Sequence, residues 1–359
     1  MRGPEGWAQH RKRVGRLARD WWAEITRIGP HQDAHWPALR VGLCVTVPLA
    51  LTAGLGHPEW APYAVFGAIN SAYGRQQPYP DRLASQIAVG AALIAAVVAG
   101  TAVGVVAPGS LLAVAAMALF SLAGYVISKT HALLPIPSLF LVFATGTLSS
   151  YRHQASDLLL ALGLSTAAAS FSVVVGQVGR WVHASDRART PPPLRVPFRQ
   201  VWKSQDRRLG ALAHTLGPLI AGTLAVSAGI GHPYWAAVTA TVPLVGPNLA
   251  ARLARGTMRF LGTLIGVGVV WILLITHPTT WLLIAAVAVL QVITELFVTR
   301  NYGVAVIAIT PMALILTYLG SPGPIEPLII DRIIETGIGA AVSMLLLLVI
   351  HPMRKPLQP

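Results

Sequence analysis

The chain has 359 residues, of which 54% are apolar and only 11% charged, and its 27 Lys and Arg against 13 Asp and Glu give a net charge of +14. Soluble domains carry about 25% charged residues, so this composition, with a mean hydropathy of +0.61, excludes an ordinary water-soluble fold. It also excludes a nucleic-acid binder, because the basic residues punctuate long apolar runs instead of lining one polar face. The single cysteine, Cys44, lies inside the first apolar run and leaves neither an internal disulfide nor a cysteine metal site.

Residues 1–37 read as a basic amphipathic segment. They hold seven Arg or Lys, and Trp7 to Ile28 interleaves Arg11, Lys12, Arg13, Arg16 and Arg19 with Leu17, Trp21, Trp22 and Ile25, the pattern of a helix lying on an anionic inner leaflet. No short apolar core with a cleavage site precedes the first long run, so that run is expected to act as its own insertion signal.

A spanning helix needs roughly 17 to 25 mostly apolar residues. Six runs fall at 38–55, 60–73, 83–106, 111–128, 133–148 and 158–178, and six more at 209–230, 235–249, 260–275, 281–298, 302–319 and 333–350. The expected fold class is therefore all-α, a polytopic membrane protein of about 12 transmembrane helices. If every run crosses and residue 1 is cytoplasmic, 25 of the 27 Lys and Arg face the cytoplasm and only Arg152 and Arg332 do not. This is the bias expected of an inner (plasma) membrane protein with both termini cytoplasmic.

Gly56-His57-Pro58-Glu59-Trp60-Ala61 recurs 175 residues later as Gly231-His232-Pro233-Tyr234-Trp235-Ala236, and Asp157 and Gly163 recur 174 residues later as Asp331 and Gly337. Two landmarks with nearly one offset predict two parallel six-helix repeats, 38–179 and 209–351. Between them, 180–208 reads as a basic cytoplasmic linker containing Pro191-Pro192-Pro193, and 352–359 as a cytoplasmic tail.

The repeated Gly-His-Pro-x-Trp, the stretch Arg259-Phe-Leu-Gly262-Thr263-Leu-Ile-Gly266, Asn301-Tyr302-Gly with Thr310, and Asp331-Arg332-Ile-Ile-Glu335-Thr-Gly337-Ile-Gly339 together resemble the fusaric acid resistance protein-like family. That family's relatives include aromatic acid exporters and, more distantly, plant malate channels. The resemblance covers nearly all of the second half. In the first half Arg82, read as the counterpart of Arg259, is followed by Leu-Ala-Ser-Gln-Ile-Ala-Val-Gly90 without the Gly-Thr pair, and Leu158 and Ala161 stand where the second half has Arg332 and Glu335. The resemblance implies efflux of organic acids.

The second run of each half is short, about 14 residues, and paired short segments point to a transport site whose helix starts offer free N–H groups to an anion. His57 with Trp60 and His232 with Trp235 open these segments; they serve either as turn and interfacial belt or as a proton or anion handle. Asn70 and Asn248 close them, as substrate contacts or as interhelical hydrogen bonds. Arg259 is either a topological arginine or an anion attractor. Arg332 and Glu335, at i and i+3, form either a structural ion pair or a gate and proton-coupling carboxylate. Glu295, near a span end, is expected to snorkel to the interface.

The chain has no Walker A, HExxH or GxSxG motif, so no cofactor, metal or catalytic set is expected and an enzyme ranks below a carrier. The sequence thus points to a proton-driven exporter of small, aromatic carboxylic acids embedded in the lipid bilayer, with an organic-anion channel as the alternative, a non-transporting scaffold third, and a homo-oligomer left open.

Overall fold

A computed structural model describes residues 4–31, 33–75, 77–133, 135–178 and 196–353. The proline run of the linker and the tail from residue 354 lie outside the described residues. Everything regular among the described residues is helical: α1 (Pro4–Thr26), α2 (His35–Gly54), α3 (Ala61–Ala68), α4 (Tyr79–Val106), α5 (Leu111–His131), α6 (Ser138–Ser150), α7 (Asp157–Gln177), a single turn α8 (Phe198–Val201), α9 (Gln205–Ser227), α10 (Tyr234–Thr241), α11 (Leu249–Leu274), α12 (Thr280–Phe297), α13 (Tyr302–Gly320) and α14 (Ile325–Ile350).

Among the described residues nine helices are long and apolar enough to cross a membrane: α2, α4, α5, α7, α9 and α11 to α14. Their outer faces expose large apolar side chains such as Leu159 and Val106, each 77% accessible. Water would penalise such a surface, and acyl chains do not. The chain is a multi-pass membrane protein on these grounds.

Three of the twelve expected runs form helices too short to cross alone. α6 has 13 residues, and α3 and α10 have eight each, roughly 12 Å of rise. Local chemistry stops them. Pro243 follows α10 by two residues and lacks the N–H that would carry the helical ladder on. α3 tightens into a 3₁₀ turn, Ile69–Ala72, before Gly74 turns the chain at φ +72°. Both short helices lie wholly inside the bundle: every residue of α10, and every residue of α3 except Pro62, is buried.

The same packing partners occur in both halves. α3 lies on α7 and α10 on α14; α4 lies on α6 and α7, and α11 on α13 and α14. Across the halves α2 packs on α12 and α9 on α5, the first helix of each half against the fourth of the other. Glycines permit the close approaches. Side chains at Gly100 and Gly104 of α4 would collide with α6 and the turn after it, and at Gly262 and Gly266 of α11 with α13, two Gly-xxx-Gly seams.

The turns after α3 and α10 correct one expected correspondence. Arg82 Nε donates to the Gly74 carbonyl at 2.9 Å, and Arg252 Nε donates to the Gly246 carbonyl at 2.9 Å. The structural partner of Arg82 is thus Arg252, which braces the preceding glycine turn, and not Arg259, which lies deeper in α11.

α1 docks on α11. Trp21 Nε1 donates to Thr257 Oγ1 at 3.3 Å, and Trp21 and Ile25 pack on a core of Val242, Met258, Tyr302 and Val306. One apolar face of the amphipathic helix is therefore satisfied by protein, while Trp22 stays exposed.

Candidate functional site

α14 enters the bundle at the end where the Gly-His-Pro turns lie. Arg332 stands seven residues past its start, roughly 10 Å deep at helical rise, and Arg259 stands ten residues past the opposite end of α11, roughly 15 Å deep. Both depths approach the middle of a hydrocarbon layer about 30 Å thick. Arg332 is completely buried and Arg259 is 2% accessible. Arg259, Tyr234, Glu335 and Tyr302 all lie within electrostatic reach of the Arg332 guanidinium, which sits 4.8 Å above the Trp235 ring.

All three guanidinium nitrogens of Arg332 lack a hydrogen-bond partner, as do Arg259 Nε, Trp235 Nε1, Tyr302 OH and both oxygens of Glu335. Arg332 and Glu335 make no direct hydrogen bond to each other. The i, i+3 spacing puts both on one side of α14, but the arginine turns to the aromatic face of Trp235 while the His232 backbone faces the glutamate carboxyl. Leaving a cation buried and unpaired costs several kcal/mol. A planar anion with two oxygens would satisfy the guanidinium fork.

Trp235 is held on two sides of α10's first turn. The His232 imidazole stacks on it at 4.8 Å and 15°, and His232 Nδ1 lies 2.9 Å from the Asp331 carboxylate, the residue before Arg332. The first-half copy is built differently. His57 stacks on Trp60 at 3.9 Å and 6°, but His57 is exposed, Trp60 is half-buried, and His57 pairs with its neighbour Glu59 at 2.8 Å. His57 and Trp60 therefore mark a more exposed turn than His232 and Trp235 do.

The two asparagines also part company. Asn70 is fully buried, facing Gly90, with neither side-chain atom partnered. Asn248 is exposed and is the N-cap of α11, its Oδ1 accepting from the Ala251 N–H at 2.8 Å. The bond it makes is thus a helix cap, a role that asparagine before a helical run already signals. Glu295 does not snorkel: it is buried, accepts from Arg75 Nη1 at 2.6 Å, and its carbonyl accepts from Arg75 Nη2 at 2.9 Å. That bond ties α12 to the turn after α3.

Two cavities flank the buried cluster. One of about 320 Å³, at the arginine-rich end, is lined by Arg27, Arg255, Arg300, Met258 and Tyr302 among others. The other, of about 380 Å³, is lined by Trp60, Tyr63, Tyr151, Arg152, His153 and Gly320 among others. Tyr302 and Gly320 are the two ends of α13, so that helix, roughly 27 Å long at 1.5 Å per residue, runs from one cavity to the other. Tyr151 lies against Tyr234, and burial pushes its phenol up to about 12, so it stays neutral. Sequence reading missed Tyr234, Tyr302 and the cavity arginines, because a tyrosine or a loop arginine shows its partners only when helices distant in sequence meet.

Residues 220–346 match the family described as fusaric acid resistance protein-like. The uncharacterized membrane protein YvaC of Bacillus subtilis is 28% identical over 146 residues, 40% of this chain and 23% of that protein. An uncharacterized protein of Synechocystis is 31% identical over 137 residues, 37% of this chain and 18% of that protein. The matched stretch thus covers less than a quarter of either curated relative. No solved structure matches the chain.

Proposed function

From a second half that matches the fusaric acid resistance protein-like family, we propose that this membrane protein exports small aromatic carboxylic acids. Arg332 carries the reading: a fully buried arginine whose three guanidinium nitrogens are unpartnered, within electrostatic reach of Tyr302, which lines one of the two cavities. The acid's carboxylate takes the arginine fork and its ring lies along Trp235, with Arg259 adding attraction from the arginine-rich side. That side faces the cytoplasm, so Arg27, Arg255 and Arg300 gather the anion before it moves inward. The fully buried Tyr234 and Trp235 separate the two cavities, an occluded arrangement suited to a carrier that opens one side at a time. Glu335, unpartnered and three residues on, is the group that exchanges a proton as the anion leaves. The two halves act as pseudo-symmetric repeats that rock about the short helices.

Efflux of labelled aromatic and aliphatic carboxylates from cells expressing the chain, with and without a protonophore, tests this. Export is expected to be saturable, protonophore-sensitive and at least 30-fold weaker in R332Q, in keeping with a loss of about 2–5 kcal/mol when one partner of a buried charged pair is removed. Currents that follow voltage and ignore the protonophore would replace the carrier with a channel. Unchanged accumulation of every acid would overturn the reading.

A further inference from the structure

The joint between α1 and α2 carries a side-chain cluster that the transport reading does not use. His31, Asp33 and His35 each place one ligand atom within 4.8 Å of the others, the one such group of histidine, cysteine or acidic side chains among the described residues. The two histidines have the i, i+4 spacing of an HExxH pair, but the acid stands at i+2 and a turn, not a helix, sets the geometry. Asp33 is left-handed at φ 52°, the Ala34 N–H donates to the His31 carbonyl at 2.9 Å, and His35 begins α2. The His31 and His35 rings are brought parallel, 5.3 Å apart at 18°. The three side chains are exposed and make no hydrogen bond or ion pair to a described residue.

We propose that His31, Asp33 and His35 form a binding site for a divalent first-row transition-metal ion of the zinc and nickel class. Two imidazoles and one carboxylate suit such ions, and three protein ligands with solvent completing the shell is an open zinc arrangement. Ligand atoms 4.8 Å apart close to bonding distances of roughly 2.0–2.2 Å from one metal by side-chain rotation alone, which their exposure permits. The site also has a position that matters. Two residues before His31, the Gly29 N–H donates to the Arg300 carbonyl at 2.8 Å and Arg300 Nε donates to the Gly29 carbonyl at 3.1 Å, and Gly29 and Pro30 wall the 320 Å³ cavity. A bound ion joins that wall to the start of α2.

The test uses the full chain without an affinity tag, freed of metal by chelator and titrated with zinc chloride by calorimetry. One ion per chain is expected, and the double variant His31→Ala, His35→Ala should weaken binding at least 30-fold, while His351→Ala, an exposed histidine elsewhere, changes nothing. Copper(II) spin resonance on the unaltered chain gives a second reading, in which coupling to two imidazole nitrogens is expected. Absence of saturable zinc binding, binding that survives the double variant, or copper coupled to fewer than two nitrogens would each overturn the site. None of these measurements depends on transport.

Discussion

The two halves share helix order, packing partners and the Arg-to-glycine brace after the short helix, yet differ where charge is buried. In the second half α14 carries Arg332 and Glu335 against α10; in the first, α7 offers Leu158 and the buried Ala161 at the matched positions. The first half instead buries neutral groups without partners, Asn70 and Gln86. The two halves therefore share packing partners, while the buried arginine and glutamate lie in the second. Glycine use shows the same division: α3 approaches α7 through its own Gly67 against Ser165, whereas α10 is approached through Gly339 of α14 against Ala236. The interface needs one missing Cβ, and either helix can supply it.

That comparison is sharpest at the paired tryptophans. Trp235→Ala empties a fully buried position and should cost about 3–5 kcal/mol, read as a lowered thermal midpoint in detergent, and should abolish preference for aromatic over aliphatic acids. Trp60→Ala, half-buried at the more exposed turn, should cost less than about 1.5 kcal/mol on area lost and leave the preference intact. Equal effects would show that the halves do equivalent work. The glycines give the next largest contrast. Gly67→Ala and Gly339→Ala should each destabilise by about 1–3 kcal/mol through overpacking, since backbone atoms block the new methyl. Gly163→Ala, with nothing near it, should be neutral or slightly stabilising in the same assay. The smallest effect separates the asparagines: Asn248→Ala should cost about 1 kcal/mol of helix capping with no change in KM for transport. A KM change there would place Asn248 in the pathway.

Much of the architecture was legible in order along the chain. Of the twelve apolar runs read as spans, nine form membrane-length helices among the described residues, and the repeated Gly-His-Pro-x-Trp located the starts of two of the short ones, because spans and turns are written in local composition. The site was legible in part. Arg332 and Glu335 stood out as charges inside an apolar run, but their relation to each other did not, since i, i+3 spacing permits a bond without requiring one. Nor did the sequence distinguish His232, drawn to Asp331 of α14, from His57, left with its neighbour Glu59.

What the sequence alone determined is the medium and the local grammar: a lipid-facing helical chain, its turns, its repeat landmarks and the residues too costly to bury without reason. Those follow from hydrophobicity and backbone chemistry, which act over a few residues. Only the tertiary structure decided which of those residues meet: that Arg332 leaves Glu335 for Trp235, that Asn248 caps a helix while Asn70 is buried, that Glu295 pairs with Arg75 from the other half, and that α13 joins two cavities. Those outcomes depend on contacts between helices far apart in the chain, and no local pattern specifies them.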